Sequence, residues 1–303
     1  MLRGAFPEAR IRWLVNTEWM PLLDGNPHID EVIEFPRRDL GGLRGSLRIG
    51  PWARQLRKRA QPDLILDYQG LLRSGLIAKL CRGDHTQVFG LSDAREGARF
   101  FYDKATDVSG CVHAVDRYLA LTRAVISSYP TPYHGLLSWP LPPGVSPAGF
   151  ELNEPFVVLH PFSRGAGKSL DQAQVEEFCK ALAPTPVVIA GKSNSRVTPT
   201  ENVIDLLNVT TLHSLIWLLR KAAFVVSVDS GPMHIAAALD VPLVSIHTWS
   251  DPDKVGPNRS AAWVWKDGQI YRQDFPENAR DYLKIRDLLE LGVFVRTELQ
   301  MLG

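Results

Sequence analysis

The sequence has little of what would place it outside the ordinary globular proteins. Its 303 residues include three cysteines, Cys81, Cys111 and Cys179, whose spacing fits no metal-binding pattern. So few cysteines argue against a disulfide scaffold and are typical of reduced thiols in the cytoplasm. No apolar run reaches the roughly 18 residues of a membrane helix. The first seven residues lack an apolar core, so we expect no signal peptide.

The chain also lacks a strong net charge. Lysine and arginine number 34 against 33 acidic residues, which disfavours a polyanionic partner for the molecule as a whole. Between Pro36 and Ala60, however, eight basic residues face one acid, Asp39. This segment is either a solvated loop and helix face or a docking surface for a phospholipid leaflet or phosphorylated glycolipid. Four interspersed glycines, Gly41, Gly42, Gly45 and Gly50, favour a mobile loop.

What the chain does contain is an alternation of short apolar strands and amphipathic helices. This pattern predicts an α/β fold with two parallel-sheet domains. Six prolines between residues 130 and 147 mark a boundary, so we expect domains at 1–148 and 149–303. The predicted strands are 10–15, 31–35, 63–67, 86–90, 156–160 and 186–190, and the predicted helices are 71–81, 113–126, 172–182, 212–222 and most of 281–302.

The most informative stretch runs from Phe224 to His247. An apolar strand ends in Asp229-Ser230-Gly231, a small-residue helix follows, and a second apolar strand begins after Pro242. The turn should lie at the carboxyl end of its strand, where free N–H groups at the helix start suit a diphosphate. The alternative is that Asp229 and Ser230 only cap the helix.

A second strand-to-helix loop follows the strand 156–160. Gly165 and Gly167 would let the backbone approach a ligand closely, and Arg164 and Lys168 bring two positive charges. The spacing is not that of a Walker A loop, and no G-x-G-x-x-G opens a unit, which disfavours a Rossmann dehydrogenase. The loop is therefore either a phosphate cradle or an ordinary surface loop.

These two stretches together resemble the family 9 glycosyltransferases, the ADP-heptose:lipopolysaccharide heptosyltransferases, and most closely heptosyltransferase I. The match continues through Ser250-Asp251-Pro252 and Gly256-Pro257. The resemblance implies a GT-B fold, with two Rossmann-like domains facing a cleft and the donor nucleotide held by the C-terminal domain. It further implies that Lys168 stabilises the leaving diphosphate. The donor-binding residues that it implies are Ser163, Arg164, Lys168, Gly191, Asp229, Ser230, Gly231 and His234.

The N-terminal half carries further matches to this family. Asp67-Tyr-Gln-Gly-Leu-Leu-Arg73-Ser resembles its D-x-Q-G-L-x-K/R-S segment, Asp93-Ala-Arg-Glu96 its A-R-E, and His113-Ala-Val-Asp-Arg117 its H-A-V-E/D-R. The resemblance places Gln69, Arg73, Arg95 and His113 around an acidic core-sugar acceptor. The two arginines would then pair with its carboxylates, which a planar guanidinium group does well. The alternative is that Arg95–Glu96 and Asp116–Arg117 form only surface ion pairs.

One part of the family pattern is missing. Members of the family begin with a strand, a glycine loop and an aspartate that is proposed as the general base. Here Leu2–Ile11 matches the family segment in which the following helix ends and the second strand begins, so the first strand, its loop and the aspartate have no counterpart. No other carboxylate occupies an equivalent place. We therefore expect an N-terminally truncated or degenerate member that lacks the base and has a less stable N-terminal domain.

The resemblance implies inverting, metal-independent transfer of heptose from ADP-heptose to the lipopolysaccharide inner core, with no cofactor. The alternatives are a catalytically impaired or inactive binder of the nucleotide sugar and another GT-B enzyme such as an epimerase, which the acceptor-side matches disfavour. The implied partners are ADP-heptose and the core acceptor, with no nucleic acid. The implied location is the cytoplasm, with peripheral contact at the inner face of the inner membrane.

Overall fold

The structure is a computed structural model that describes residues 1–129, 139–165, 167–194, 200–258, 262–272, 274–276 and 281–302. The chain divides into two compact units: the first comprises Met1–Met20 and Pro27–Ser138, and the second Pro21–Asn26 and Trp139–Gly303. The division falls ten residues before the predicted boundary at 148. Pro130 and Pro132 of the predicted linker lie outside the described residues. The segment after Trp139 joins the second unit, where Leu141, Phe150 and Leu152 pack against one of its apolar clusters.

The first unit follows an alternating strand and helix order. Its elements are α1 (Leu2–Ala5), β1 (Arg12–Asn16), β2 (Glu31–Phe35), α2 (Gly42–Ala60), β3 (Leu64–Asp67), α3 (Leu72–Cys81), β4 (Gln87–Leu91), β5 (Lys104–Thr106) and α4 (Ala114–Ser127), with a 3-10 turn at Ala98–Phe101. A second 3-10 turn, Thr17–Leu23, includes residues of both units. The strands predicted at 31–35, 63–67 and 86–90 and the helices predicted at 71–81 and 113–126 are confirmed within a few residues.

The strands of the first unit form two separate parallel sheets. One contains β1 and β2, with Arg12 opposite Glu31, and the other has the order β3-β4-β5. Among the described residues, β1 and β3 each pair with one neighbouring strand. Leu14 of β1 and Ile65 of β3 nevertheless pack against the same apolar cluster, and the ring of Trp13 stacks on Tyr68 at 6.5 Å. The two sheets are therefore held together by side chains.

Helix α2 corrects the prediction of a mobile loop between Pro36 and Ala60. Ile49 and Ala53 are buried against Ile77 and Cys81 of α3, so the helix has an apolar face of its own. Gly45 serves close packing: an added Cβ would lie 2.6 Å from the carbonyl carbon of Leu40. The glycines that suggested flexibility thus include one that lets the helix approach the preceding turn.

The second unit is built on one seven-stranded sheet. Its elements are β6 (Val157–His160), α5 (Gln172–Leu182), β7 (Val187–Gly191), β8 (Val203–Leu207), α6 (Leu212–Lys221), β9 (Phe224–Val228), α7 (Gly231–Ala238), β10 (Leu243–Ile246), α8 (Pro252–Val255), β11 (Trp263–Lys266), β12 (Gln269–Tyr271) and α9 (Ile285–Leu302). The strand order is β12-β11-β10-β9-β6-β7-β8, and only β12 runs antiparallel to its neighbour. Both elements on either side of Asp229 are confirmed.

Each face of this sheet is covered by helices. Phe178 of α5 and Leu288, Leu291 and Val295 of α9 pack on one face, and Ile216 of α6 with residues of α7 packs on the other. The four residues of β6 and all five of β9 are buried, as expected for a parallel sheet covered on both sides. Within the described ranges, no helix has the length and apolar character needed to cross a membrane.

Candidate functional site

The sheet of the second unit reverses its strand order between β6 and β9. From β6 the chain adds β7 and β8 on one side, and from β9 it adds β10 and β11 on the other. In open α/β sheets, ligands bind at such a switch point, outside the carboxyl ends of the strands. The loops that leave β6 and β9 therefore frame the candidate site, and the loop after β10 lies beside them.

The loop after β6 presents Lys168 to the loop after β9. The Ser169 hydroxyl accepts a hydrogen bond from the Ser163 backbone N–H at 2.9 Å and donates to the Ser163 carbonyl at 3.1 Å, which closes the loop on itself. The Lys168 ammonium then donates to the carboxylate of Asp229. Their side chains are 18% and 8% exposed. Two predicted donor residues, 61 positions apart in the chain, are thus in contact.

The Asp229 carboxylate is held in its charged form by its neighbours. Burial would raise its pKa, but hydrogen bonds from Lys168 and Ser250 outweigh that effect, so the pKa lies below the usual value. The alternative that Asp229 and Ser230 only cap α7 is wrong for Ser230, which makes no side-chain cap. Instead, its hydroxyl lies 3.1 Å from His160 Nδ1 and donates to the Val228 carbonyl at 3.0 Å.

Sequence reasoning missed Trp249. The Lys168 ammonium lies 4.6 Å from the centre of its ring, close enough for a cation–π interaction. The indole is 52% exposed and borders Gly167, where an added Cβ would lie 3.6 Å from the ring. Trp249 directly precedes Ser250-Asp251-Pro252, but the family match begins at Ser250, so the tryptophan was not singled out.

Buried polar groups hold the Trp249 segment in place. The ammonium of Lys266, which is buried, donates to the carbonyls of Thr248 and Ser250. The Thr248 hydroxyl donates to the Gly167 carbonyl at 2.9 Å and so ties this segment to the Lys168 loop. His247 lies underneath with its ring nitrogens within 3.2 Å of the Ser245 and Ser250 hydroxyls. Burial lowers the pKa of His247 to about 4.

A second buried histidine supports the start of α7. His160 ends β6, and burial lowers its pKa to about 4, so its ring is neutral near pH 7. Gly191, at the end of β7, lies against this ring: an added Cβ would be 2.9 Å from Nε2. The predicted donor residue Gly191 therefore has a packing role, since it makes room for the histidine that contacts Ser230.

The remaining predicted donor residues lie on the exposed side of the site. Gly231 and His234 are exposed in the first turns of α7, and Arg164 is exposed in the Lys168 loop. The Ser163 hydroxyl donates to the Asp229 carbonyl at 3.3 Å, which joins the two loops. Because Ser230 does not cap α7 with its side chain, the N-terminal end of that helix can serve an anion.

In the first unit, a buried carboxylate organises the turn between β3 and α3. Asp67 accepts hydrogen bonds from the backbone N–H groups of Gln69 and Gly70, at 3.0 and 3.1 Å, and from the hydroxyls of Ser74 and Tyr102, at 2.8 and 2.7 Å. Burial, and next the Asp67 carboxylate, raise the pKa of Tyr102. With four donors on it, Asp67 is a structural hub that presents the exposed side chains of Gln69 and Arg73.

Three of the predicted acceptor residues lie on one surface of this unit. The Arg95 backbone N–H donates to the Gly70 carbonyl at 2.8 Å, which brings Arg95 to the turn that carries Gln69 and leads into α3, where Arg73 lies. The alternative of an Arg95–Glu96 ion pair is wrong: Glu96 instead accepts a hydrogen bond from the Leu72 N–H at 3.2 Å.

The fourth, His113, is the N-cap residue of α4, and its Nδ1 accepts a hydrogen bond from the Val115 N–H at 3.2 Å. Arg117 pairs with Asp93 rather than with the adjacent Asp116. This ion pair ties α4 to the segment that carries Arg95, so His113 and Arg95 belong to neighbouring parts of the first unit.

The site combines a switch point in strand order with a partly buried lysine, in a chain with two α/β units, and this combination is typical of nucleotide-binding proteins. The family model for glycosyltransferase family 9 (heptosyltransferase) matches residues 50–274. The chain belongs to this family and is a glycosyltransferase.

Relatives and solved structures agree with this assignment. Lipopolysaccharide heptosyltransferase 1 of Pseudomonas aeruginosa is 27% identical over 83% of this chain and 74% of its own length. The structure of Escherichia coli ADP-heptose lps heptosyltransferase II superposes with a TM-score of 0.73 at 21% identity, covering 99% of this chain and 91% of that one. E. coli heptosyltransferase WaaC with ADP-2-deoxy-2-fluoro heptose gives a TM-score of 0.70 at 20% identity, with 98% and 92% coverage. These structures share the fold of this chain.

Proposed function

We propose that the chain transfers heptose from ADP-heptose to the inner core of lipopolysaccharide, with inversion and without a metal ion. The observation that carries the proposal is the contact of Lys168 with Asp229 and Trp249 at the switch point between β6 and β9. The similarity to lipopolysaccharide heptosyltransferase 1, and to a heptosyltransferase solved with an ADP-heptose analogue, supports this donor and acceptor.

The transfer requires positive charge at the departing group. The bond between the anomeric carbon and the diphosphate oxygen breaks as the acceptor oxygen attacks from the opposite face, and the proton of the acceptor hydroxyl passes to a water molecule. Negative charge builds up on the departing ADP. Lys168 and the N-terminal end of α7 supply preorganised positive charge at that point, which is the task a metal ion performs in other transferases.

The donor and acceptor would engage different units. Asp229, Ser230, Gly231 and His234 follow β9 and would hold the donor, together with Ser163, Arg164 and Gly191. Gln69, Arg73, Arg95 and His113 of the first unit would hold the acidic acceptor, because exposed guanidinium groups can form paired hydrogen bonds with carboxylates. Peripheral contact with the cytoplasmic membrane leaflet is part of this proposal.

Calorimetry with ADP and product analysis with a lipopolysaccharide core acceptor test the role of Lys168. Lys168→Met should lower the transfer rate by roughly 100- to 1000-fold, since it removes one preorganised cation from the leaving group. Lys221→Met, at the exposed end of α6, is the matched control and should retain full activity. An active Lys168→Met protein would refute the proposed chemistry.

Asp229 needs a control of its own, because removing Lys168 leaves a buried carboxylate unpaired. The double variant Lys168→Met with Asp229→Asn removes both charges and should melt near the temperature of the wild type. Loss of transfer in this folded protein assigns the effect to the chemistry and not to unfolding.

A second candidate function is donor binding without transfer. The division of the first unit into two sheets favours it, because among the described residues β1 and β3 each pair with a strand on one side only. ADP-heptose would then bind with the same dependence on Lys168, but no product would form with any core acceptor.

A further inference from the structure

The first unit exposes a phenylalanine almost completely. Phe100 is 91% exposed, and Leu72 close by is 47% exposed. Single exposed apolar side chains are common in soluble proteins, but a nearly free aromatic ring beside other apolar and cationic groups is typical of a contact surface.

The local fold fixes this exposure. Phe100 lies in the 3-10 turn Ala98–Phe101, whose first residue is buried and whose last residue turns onto α3, where Gly75 leaves room for the Phe101 ring. Two inward-facing residues anchor the turn, so Arg99 and Phe100 must face outward. The hydrogen bond from the Phe100 N–H to the Gly97 carbonyl, 3.1 Å long, keeps the turn closed.

Three exposed arginines, Arg73, Arg95 and Arg99, lie on the same two segments as the ring. The Arg95 N–H bonds to the Gly70 carbonyl, and the Glu96 carboxylate to the Leu72 N–H, so the turn and the start of α3 form one surface. We call Leu72, Arg73, Arg95, Arg99 and Phe100 the Phe100 patch. Its three arginines make no side-chain hydrogen bond or ion pair within the described part of the chain. Of the acids next to this segment, Asp93 is paired with Arg117 and Asp103 with Arg82, while Glu96 accepts from the Leu72 N–H.

We propose that the Phe100 patch binds an anionic phospholipid bilayer, with Phe100 and Leu72 entering the interfacial region and the three arginines contacting lipid phosphates. An apolar ring belongs at the boundary between head groups and acyl chains, and arginine pairs with phosphate through parallel hydrogen bonds. Both requirements are met on one small surface. The predicted acceptor residues Arg73 and Arg95 belong to the Phe100 patch. The patch would therefore bring the chain to the membrane surface in which a lipid-anchored acceptor lies.

This proposal deepens the proposed function but is tested without sugar transfer. The full-length chain is mixed with vesicles of phosphatidylcholine alone or of phosphatidylcholine with phosphatidylglycerol, and the bound fraction is measured by co-sedimentation. We expect binding to the anionic vesicles, little binding to the neutral ones, and weaker binding as salt is added. ADP binding by the same samples, followed by calorimetry, reports separately on the donor site.

Variants separate the patch from general adsorption. Phe100→Ser should weaken binding to anionic vesicles about tenfold, and Phe100→Trp should preserve it, because tryptophan suits the interface. Val209→Ser, at a residue 69% exposed in the second unit, is the apolar control and should bind as the wild type does. Arg99→Gln should weaken binding about fivefold, with Lys221→Gln as its control.

Three results would overturn the proposal. The first is an absence of binding to anionic vesicles. The second is binding that persists in Phe100→Ser and disappears on replacing Arg54 and Lys58, two exposed cations of α2. The third is a self-association of the wild type that Phe100→Ser abolishes, which would assign the patch to a second copy of the chain. Unchanged melting temperatures of the variants would show that folding is not the cause.

Discussion

The two units use the same kind of building block with different results. In the second unit seven strands form one sheet, and the strands β6, β7, β9 and β10 are buried at every residue. In the described residues of the first unit five strands form two sheets, and every residue of β1 is at least partly exposed. Strand burial in a parallel sheet requires neighbours on both sides and helices on both faces. Where one neighbour is lacking, the same alternation of strands and helices leaves strand edges open.

The two units therefore differ in how firmly they hold their charged side chains. The second unit holds its charged residues on a rigid frame, as the ties from Lys266 and Thr248 show. The first unit presents exposed arginines on turns, fixed locally by the hub at Asp67. We therefore expect the units to respond differently to acid, to core substitution, to protease and to ligands.

Acid should produce the largest effect, and it should act on the second unit. His160 and His247 have folded-state pKa values of about 4, below the ordinary value of 6.5. Between those values the unfolded chain binds protons that the folded chain does not, so the contribution of these two histidines to stability is constant above about pH 6.5 and falls as the pH drops toward 4. Each histidine should contribute on the order of 3 kcal/mol to this loss.

Hydrogen exchange at pH 7 and pH 5 measures the loss in each unit. In the first unit, Asp30 and Glu31 have lowered pKa values, so their contributions persist above their ordinary pKa and are lost only at more acidic pH. Replacing both buried histidines by Gln should flatten the response of the second unit, whereas His85→Gln, at an exposed residue, should not. Equal protection of the second unit at both pH values would contradict the prediction.

Matched core substitutions should give the next largest effect. Leu159→Ala in β6 removes a fully buried side chain and should destabilise the second unit by about 2–5 kcal/mol. Leu14→Ala in β1 removes a partly exposed one and should cost less than about 1.5 kcal/mol in the first unit. Hydrogen exchange resolved by unit measures both, and equal losses would show that β1 is as well supported as β6.

Limited proteolysis compares the intact units directly. Because β1 and β3 each have an unpaired edge within the described residues, we expect fragments of the first unit to disappear at least tenfold faster than fragments of the second. Mass spectrometry of the surviving fragments identifies them. A first unit that resists cleavage as long as the second would refute the notion that its divided sheet is less stable.

The smallest effects should come from substitutions that separate donor binding from acceptor binding. Trp249→Ala should weaken ADP binding about tenfold, because Lys168 loses its cation–π partner, and Trp249→Phe should restore part of the affinity. Arg73→Ala should leave ADP binding unchanged and raise the KM for the core acceptor about fivefold. Trp19→Ala, at an exposed tryptophan of the first unit, is the control for the first change. Loss of ADP binding in Arg73→Ala would break the assignment of donor and acceptor to separate units.

Much of the fold could be predicted from the sequence, because parallel strands buried on both faces are continuous apolar runs. The stretches 156–160 and 224–228 are such runs, and both are strands in the structure. Helix α2 was missed because glycine was taken as a sign of flexibility, whereas Gly45 is needed where the helix meets Leu40. The packing of Ile49 and Ala53 against α3, and not the local preference of glycine, decides that this segment is a helix.

The candidate site was predictable in its residues but not in their contacts. Lys168 and Asp229 were each expected to bind the donor, yet their pairing depends on the switch in strand order between β6 and β9. Trp249 was missed because an aromatic residue in a loop has no spacing signal of its own. The roles of His160 and Lys266 also follow from burial, which the local sequence does not reveal.

The ion pair between Lys168 and Asp229 has a consequence for the choice of ligand. An isolated lysine in a concave site would attract inorganic phosphate, sulfate and every free nucleotide in its surroundings. Here the carboxylate already balances that ammonium, so a small anion gains little by arriving alone. If the site takes the proposed nucleotide sugar, the base, ribose and sugar would supply the additional contacts needed to compete with Asp229 for the lysine, which the commonest anions around the empty protein lack.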